Sequence, residues 1–156
     1  HVDSLLSKLE EMGVDLEVGA DYVIVSKPET YKATNIKTAV YPGFPTDLGQ
    51  PMMTLLTQAN GVSIFDETIW ENRMGHVKYL NFMGSNIKAT NNNAIIIGKT
   101  DLVGCDVEAT DLRGGAALIV EALAAKGITE IDNIHYILRG YENIEDKLKK
   151  LGAKIY

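Results

Sequence analysis

The residues of this chain best suited to chemistry are carboxylates and arginines that recur where helices are expected to start. Asp47 closes the stretch Tyr41-Pro42-Gly43-Phe44-Pro45-Thr46-Asp47, in which two prolines stiffen the loop and remove backbone donors. Glu71-Asn72-Arg73 follows a β-rich piece ending at Trp70, and Arg139-Gly140-Tyr141-Glu142 takes nearly the same place one repeat later. Asp111 and Arg113 flank Leu112 at a further expected helix start. Helix N-termini favour negative charge, and guanidinium groups bind phosphate or carboxylate through two parallel hydrogen bonds. Gathered at one rim, such ends would form one wall of a site for an anionic substrate. Taken singly, each residue has a plainer reading: Asp47 as a helix cap, the arginines as surface ion pairs of little energetic value. Their recurrence at equivalent positions favours a site.

What must position these residues is a repeating unit. Leu5, Leu6, Leu9 and Met12 mark one helical face, Gly13 ends it, and Val14, Leu16 and Val18 alternate as a strand does. Val77, Leu80 and Met83 lead in the same way to Gly84, with Ile87 and Ala89 alternating after it. Ile144, Leu148 and Leu151 lead to Gly152 and an expected strand from Ala153 to Tyr156. These glycines lie about 70 residues apart, a period that suits a unit with two helices. The second helix opens at Thr46-Asp47-Leu48 in one copy and Thr110-Asp111-Leu112 in the other, with Gly61 and Gly127 expected to close them. β-rich pieces follow at 63–65 and 68–70, and again at 128–131 and 136–138. Further strands are expected at 22–25 and 94–97, with a hairpin turn at Asn91-Asn92-Asn93. The units are of βαβαββ type and the third is incomplete, so its missing elements are expected from sequence outside this chain unless the domain tolerates their absence.

Composition narrows the classes. The 156 residues suffice for one domain with a core. A net charge of −6 and the lack of a basic run argue against nonspecific binding to nucleic acid. Cys105 is the only cysteine, so no intrachain disulfide or thiolate metal site is expected, and a reducing cytoplasm fits best. It reads as a small buried residue, since no basic neighbour activates it. His76 and His135 read as ordinary helix or strand histidines without metal-ligand spacing. The apolar run from Gly114 to Ala125, interrupted by Glu121, is too short for a membrane span and reads as a buried helix whose Gly114-Gly115 pair permits close packing.

The ordered set Tyr-Pro-Gly-Phe-Pro-Thr-Asp-Leu (41–48), Glu-Asn-Arg (71–73), Ala-Thr-Asp-Leu-Arg (109–113) and Arg-Gly-Tyr-Glu (139–142) resembles the UDP-N-acetylglucosamine 1-carboxyvinyltransferases, within the enolpyruvyl transferase family. The resemblance runs over essentially the whole chain. It implies two domains, each an inside-out α/β barrel of three βαβαββ units, with this chain forming most of the C-terminal one and a short N-terminal segment completing it. The expected reaction moves enolpyruvyl from phosphoenolpyruvate to the 3′-hydroxyl of UDP-N-acetylglucosamine and releases phosphate, opening peptidoglycan precursor synthesis. The other domain would carry the family's reactive cysteine, a role that does not pass to Cys105, and no metal or organic cofactor is implied.

Carried over by motif, Asp47 contacts the sugar 3′-hydroxyl and is the favoured general base, while Ile69 supplies a backbone contact to the UDP-sugar. Arg139 matches an arginine that binds the phosphoenolpyruvate-derived group, and Arg73, Asp111 and Arg113 line the same cleft. A carboxylate beside the hydroxyl takes its proton, and arginines stabilise a phosphate-bearing tetrahedral intermediate. Gly49 stands where Gln is common in the family, Trp70 where Phe is, Gly114 where Ala is, and Cys105 where Ala is. The chain alone is expected to be inactive, since catalysis by proximity needs both walls of the cleft. Exposed strand edges offer the isolated chain a route to dimers. The competing reading is a noncatalytic module that holds an anionic ligand or partner at the arginine rim; an upstream domain with a loop cysteine would distinguish the enzyme from it.

Overall fold

A computed structural model describes residues 1–156. The first helix, α1 (Asp3–Glu11), leads into a hairpin of β1 (Asp15–Val18) and β2 (Val23–Ser26). Two short strands, β3 (Tyr31–Lys32) and β4 (Ile36–Lys37), come next. After a 3-10 turn at Thr46–Leu48, α2 (Gly49–Leu56) and β5 (Ala59–Asp66) follow. Both β3 and β4 pair parallel to β5, at its beginning and its end respectively. Then α3 (Val77–Phe82) precedes β6 (Ile87–Ala89) and β7 (Asn93–Gly98), an antiparallel hairpin whose β7 also pairs antiparallel with β5. Last come β8 (Asp106–Glu108), α4 (Leu112–Ala124), β9 (Glu130–Asp132), α5 (His135–Leu138) and α6 (Ile144–Lys150), with β8 and β9 parallel. Thus β4–α2–β5 and β8–α4–β9 are two copies of one parallel crossover.

The repeated helix ends are chemically alike. After α1, α3 and α6 the glycines Gly13, Gly84 and Gly152 have φ of +87°, +105° and +98°. In each case the next amide reaches back to a carbonyl of the last turn: Val14 to Leu9 at 3.0 Å, Ser85 to Leu80 at 3.1 Å and Ala153 to Leu148 at 3.0 Å. This left-handed glycine closure satisfies carbonyls that a helix end otherwise leaves open.

The central helices α2 and α4 lie inside with the five-stranded sheet outside them, whereas α1 and α6 bury no residue. α2 and α4 pack on each other, the Thr54 hydroxyl donating to the Ala117 carbonyl at 3.2 Å. Along β5, Ser63 and Phe65 are buried while Val62 and Ile64 are 58% and 48% exposed, and β7 alternates likewise between buried Ala94 and Ile96 and exposed Ile95. Each strand therefore turns one face to the helices and the other outward, as period-two side-chain alternation requires. Gly115 makes room for α5, since a methyl group there would lie 2.5 Å from Cγ1 of Ile137. Glu121 of α4 is fully buried, accepts a hydrogen bond from Ser85 at 2.6 Å, and is pushed by burial to a pKa of about 7. The sheets remain three separate pieces and do not close into a barrel within this chain. No helix is long and apolar enough to cross a membrane.

Four expectations change. α2 ends at Leu56, and Gly61 lies inside β5 with φ +119°, facing Gly98 across the pair, so it bends a strand and does not close a helix. Residues 68–70 form a turn, because the Glu67 side chain takes the amides of Ile69 and Trp70 that a strand would offer to a neighbour. Residues 136–138 belong to α5, where Leu138 donates to Ile134 and Ile137 is seated on Gly115. The stretch 153–156 is not a strand; nothing pairs with it.

Candidate functional site

The same tripeptide, Thr-Asp-Leu, does two different things. At the start of α4, Asp111 is an N-cap: its Oδ1 accepts the amides of Arg113 and Gly114, both at 2.9 Å, and its Oδ2 accepts the Thr110 hydroxyl at 3.0 Å. Burial penalises its charge, but those donors and nearby His76 outweigh it and hold its pKa below the usual range. Asp47 caps nothing. It sits within the 3-10 turn that precedes α2, one residue before that helix's N-cap position at Leu48, and its side chain is 52% exposed.

Freed from capping, Asp47 meets two arginines. Its Oδ2 lies 2.7 Å from Nη2 of Arg113 and its Oδ1 3.4 Å from Nη1 of Arg73. The Arg113 guanidinium foremost, with Arg73 adding to it, holds the Asp47 carboxyl below its ordinary value against a smaller effect of burial. Arg113 also donates from Nη1 to the Tyr141 hydroxyl at 2.9 Å. Arg73 lies over the Trp70 ring at 5.4 Å from its centroid, so the indole present at this position serves as a platform for the guanidinium. Partly exposed pairs of this kind add little to stability, so an entering anion can take over the guanidinium groups at small cost.

The scaffold beneath is buried and polar. Gln50 donates to the Arg73 carbonyl at 2.9 Å and lies 3.3 Å from Nδ1 of His76, fixing the loop that carries Arg73. His76 is fully buried at the start of α3, and burial lowers its pKa to about 4. The glycines beside both motifs let neighbours pack closely: a methyl group on Gly49 would lie 2.7 Å from Cζ of Phe65, and one on Gly114 would lie 2.7 Å from Oγ1 of Thr110, so the larger residues common there in the family need those side chains to shift.

The expected residues do not all converge. Asp47, Arg73 and Arg113 form one cluster, and Asp111 holds the helix end from which Arg113 projects. Ile69 lies in the turn before Trp70, its amide bound to Glu67 at 2.9 Å. Arg139 stands apart: it is exposed, makes no ion pair, and lies over the Tyr136 ring at 5.5 Å. The expectation of four helix N-termini at one rim is corrected as well. Arg73 lies in the loop before α3, and Arg139 follows α5 rather than opening α6. Cys105 is partly exposed, and burial, with Asp106 and Glu121 adding to it, pushes its thiol pKa up, which disfavours the thiolate. Sequence reasoning missed Glu67, Gln50 and Thr38, uncharged or singly placed residues that only the fold brings beneath the cluster.

Residues 1–148 match the family model described as EPSP synthase (3-phosphoshikimate 1-carboxyvinyltransferase). The chain is 53% identical over 155 residues to UDP-N-acetylglucosamine 1-carboxyvinyltransferase 2 of Clostridium acetobutylicum, a match covering 99% of this chain and 37% of that protein. It is 48% identical to the enzyme of the same name from Geobacillus kaustophilus, over 100% of this chain and 36% of that protein. The crystal structure of the enolpyruvyl transferase NikO from Streptomyces tendae superposes with a TM-score of 0.91 at 31% identity, covering 99% of this chain and 36% of the other. The chain therefore spans a little over a third of the length of the curated relatives it matches.

Proposed function

The chain belongs to the EPSP synthase (3-phosphoshikimate 1-carboxyvinyltransferase) family, and from that premise we propose that it forms one wall of a UDP-N-acetylglucosamine 1-carboxyvinyltransferase. In this reading residues 1–156 are most of the C-terminal domain of a longer protein. That protein moves enolpyruvyl from phosphoenolpyruvate to the 3′-hydroxyl of UDP-N-acetylglucosamine. The observation that carries the reading is the Asp47 carboxylate, on a proline-stiffened loop, between Arg73 and Arg113, in a chain 53% and 48% identical to relatives of that name.

The chemistry follows from that arrangement. Asp47 takes the proton of the 3′-hydroxyl, whose oxygen bonds to the phosphate-bearing carbon of the enolpyruvyl donor as an acid on the second wall delivers a proton to the donor's methylene carbon, turning it into a methyl group. The resulting tetrahedral intermediate keeps its phosphate until the methyl group gives up a proton to a base, the carbon–carbon double bond re-forms, and the carbon–oxygen bond to phosphate breaks to release inorganic phosphate. Arginines stabilise this anionic species, with Arg113 and Arg73 nearest the base and Arg139 reaching the donor-derived group. At rest the two arginines keep Asp47 a weak base; drawn onto the substrate's phosphate, they release it and restore its basicity. Asp111 acts through the α4 terminus by orienting Arg113, and the Ile69 backbone receives the UDP-sugar. The partner domain supplies the second wall, and the setting is cytoplasmic peptidoglycan precursor synthesis. No cofactor enters this scheme.

The test is phosphate release by the longer protein with phosphoenolpyruvate and either UDP-N-acetylglucosamine or 3-phosphoshikimate as acceptor. Release with the nucleotide sugar alone is expected. Release with 3-phosphoshikimate alone would assign the other acceptor, and binding of both substrates without release would favour a noncatalytic module. The 156-residue chain by itself should release none.

A further inference from the structure

Glu67 is a buried carboxylate with no cation beside it. Its residue is 2% exposed, and its two oxygens accept from four donors. Oε1 takes the Thr38 hydroxyl at 2.8 Å, the Ile69 amide at 2.9 Å and the Trp70 amide at 3.2 Å; Oε2 takes the Thr46 hydroxyl at 2.7 Å. Thr38 in turn accepts the Thr68 amide at 2.8 Å, and Thr68 donates from its hydroxyl to the Thr38 carbonyl. The Ile69 and Trp70 amides can only donate, and both threonine hydroxyls stand where they donate as well, an arrangement that suits the ionised form. Burial opposes the charge, and the hydroxyl and amide donors together overcome it, leaving the pKa below the usual value.

The partners matter for where they lie. Thr46 immediately precedes Asp47 at the end of the proline-stiffened loop. Ile69 and Trp70 form the turn that bears the nucleotide-sugar contact and the platform under Arg73. Thr38 follows β4, beside the end of β5. One side chain thus joins the segment carrying the base to the segment receiving the sugar, although the two lie on opposite sides of α2 and β5 in the sequence. A surface ion pair could not do this, because screening and side-chain freedom would leave the two segments loose.

We propose that Glu67 is a positioning residue for the transfer, fixing Asp47 and the Ile69 backbone against each other so that the bound sugar hydroxyl arrives at the base. The assignment rests on the enolpyruvyl-transfer reading given above. A misplacement of about 1 Å at a reacting centre costs on the order of a hundredfold in rate, so a single anchor shared by both segments has leverage on kcat.

The experiment uses the longer protein, with wild-type phosphate release as the control for the function itself. In Glu67→Gln the amide nitrogen faces the Thr46 hydroxyl if it takes the Oε2 place, or the Thr38 hydroxyl and both amides if it takes that of Oε1, and the charge that all four donors share is lost either way. The expected result is a fall in kcat on the order of tenfold or more and a raised KM for UDP-N-acetylglucosamine, with KM for phosphoenolpyruvate unchanged. Placed in an Asp47→Asn background, the same substitution should lower kcat no further, because there is no base left to misplace. Thr46→Val removes only the Oε2 donor and should give a smaller fall of the same kind, which keeps the test open if Glu67→Gln fails to fold. Equal losses with and without the Asp47 carboxylate, or an unchanged kcat with only a lower Tm, would overturn the positioning role while leaving the function intact. No release by the wild type would instead overturn the function and this assignment together.

Discussion

Asp47 and Arg113 are 66 positions apart in the chain and 2.7 Å apart in space, carboxylate Oδ2 to guanidinium Nη2. Their meeting depends on the packing of α2 against α4, since each residue stands at the leading end of one of those helices. The pair is exposed enough to be exchanged for a substrate, and it sets the predictions that concern the site.

Replacing Asp47 by Ala in the longer protein should lower kcat by about 10² to 10⁴, the usual contribution of a positioned general base, while KM for the sugar changes far less. Steady-state kinetics with both substrates check this. An unchanged kcat would remove Asp47 from the role of base.

Arg113→Ala should move the titration of Asp47 upward. The Arg113 hydrogen bond is the foremost cause of its lowered pKa, so removing it lets the carboxylate protonate at higher pH. The acidic limb of kcat/KM, in which ionised base is lost as pH falls, should shift to higher pH by the same step. Arg113→Lys should restore the limb only in part, because an ammonium group lacks the fork that spans both Asp47 and Tyr141.

Gly115→Ala should destabilise the fold by about 1–3 kcal/mol through overpacking against Ile137. Adding Ile137→Ala should recover part of the loss, since its side chain is the obstacle; Tm values of the two single variants and the double variant read the coupling.

Above the acid range in which Asp47, Glu67 and Asp111 titrate, two buried groups dominate the pH dependence of stability. His76 has a folded pKa of about 4 against 6.5 when unperturbed, so its contribution is fully present above 6.5 and lost as pH falls through 4, about 3 kcal/mol in the limit. Glu121 has a folded pKa of about 7 against 4.5, so its contribution is fully present below 4.5 and lost as pH rises through 7, by a similar amount. Thermal melts across pH 4–8 should show Glu121→Gln gaining stability with rising pH up to 6.5. The same melts should show His76→Gln losing it from 4.5 to 7.

The repeat was legible because its signal is local. Leu9, Gly13 and Val14 lie within one helix end, and the same pattern at Gly84 and Gly152 needs no tertiary information. The Asp47–Arg73–Arg113 cluster was legible through motif order. Residues 136–138 were misread because a short apolar run carries no reliable period, and the choice between helix and strand falls to Gly115, which lies in another element. Gly61 was misread because a lone glycine after a helical pattern signals a cap and a strand bend equally well. Glu67 left no trace at all: one acidic residue at a strand end looks solvated until Thr38, Thr46, Ile69 and Trp70 close around it.

The burial of His76 and Glu121 also means that folding carries out an internal proton exchange. Between about pH 4.5 and 6.5 the unfolded chain holds a charged imidazolium and a charged carboxylate at these positions, whereas the folded chain holds both groups neutral. One site gives up a proton and the other takes one, so the net uptake is zero and the two pH slopes cancel. Over that interval the protein's stability is buffered against acidity by two groups that individually would make it sensitive.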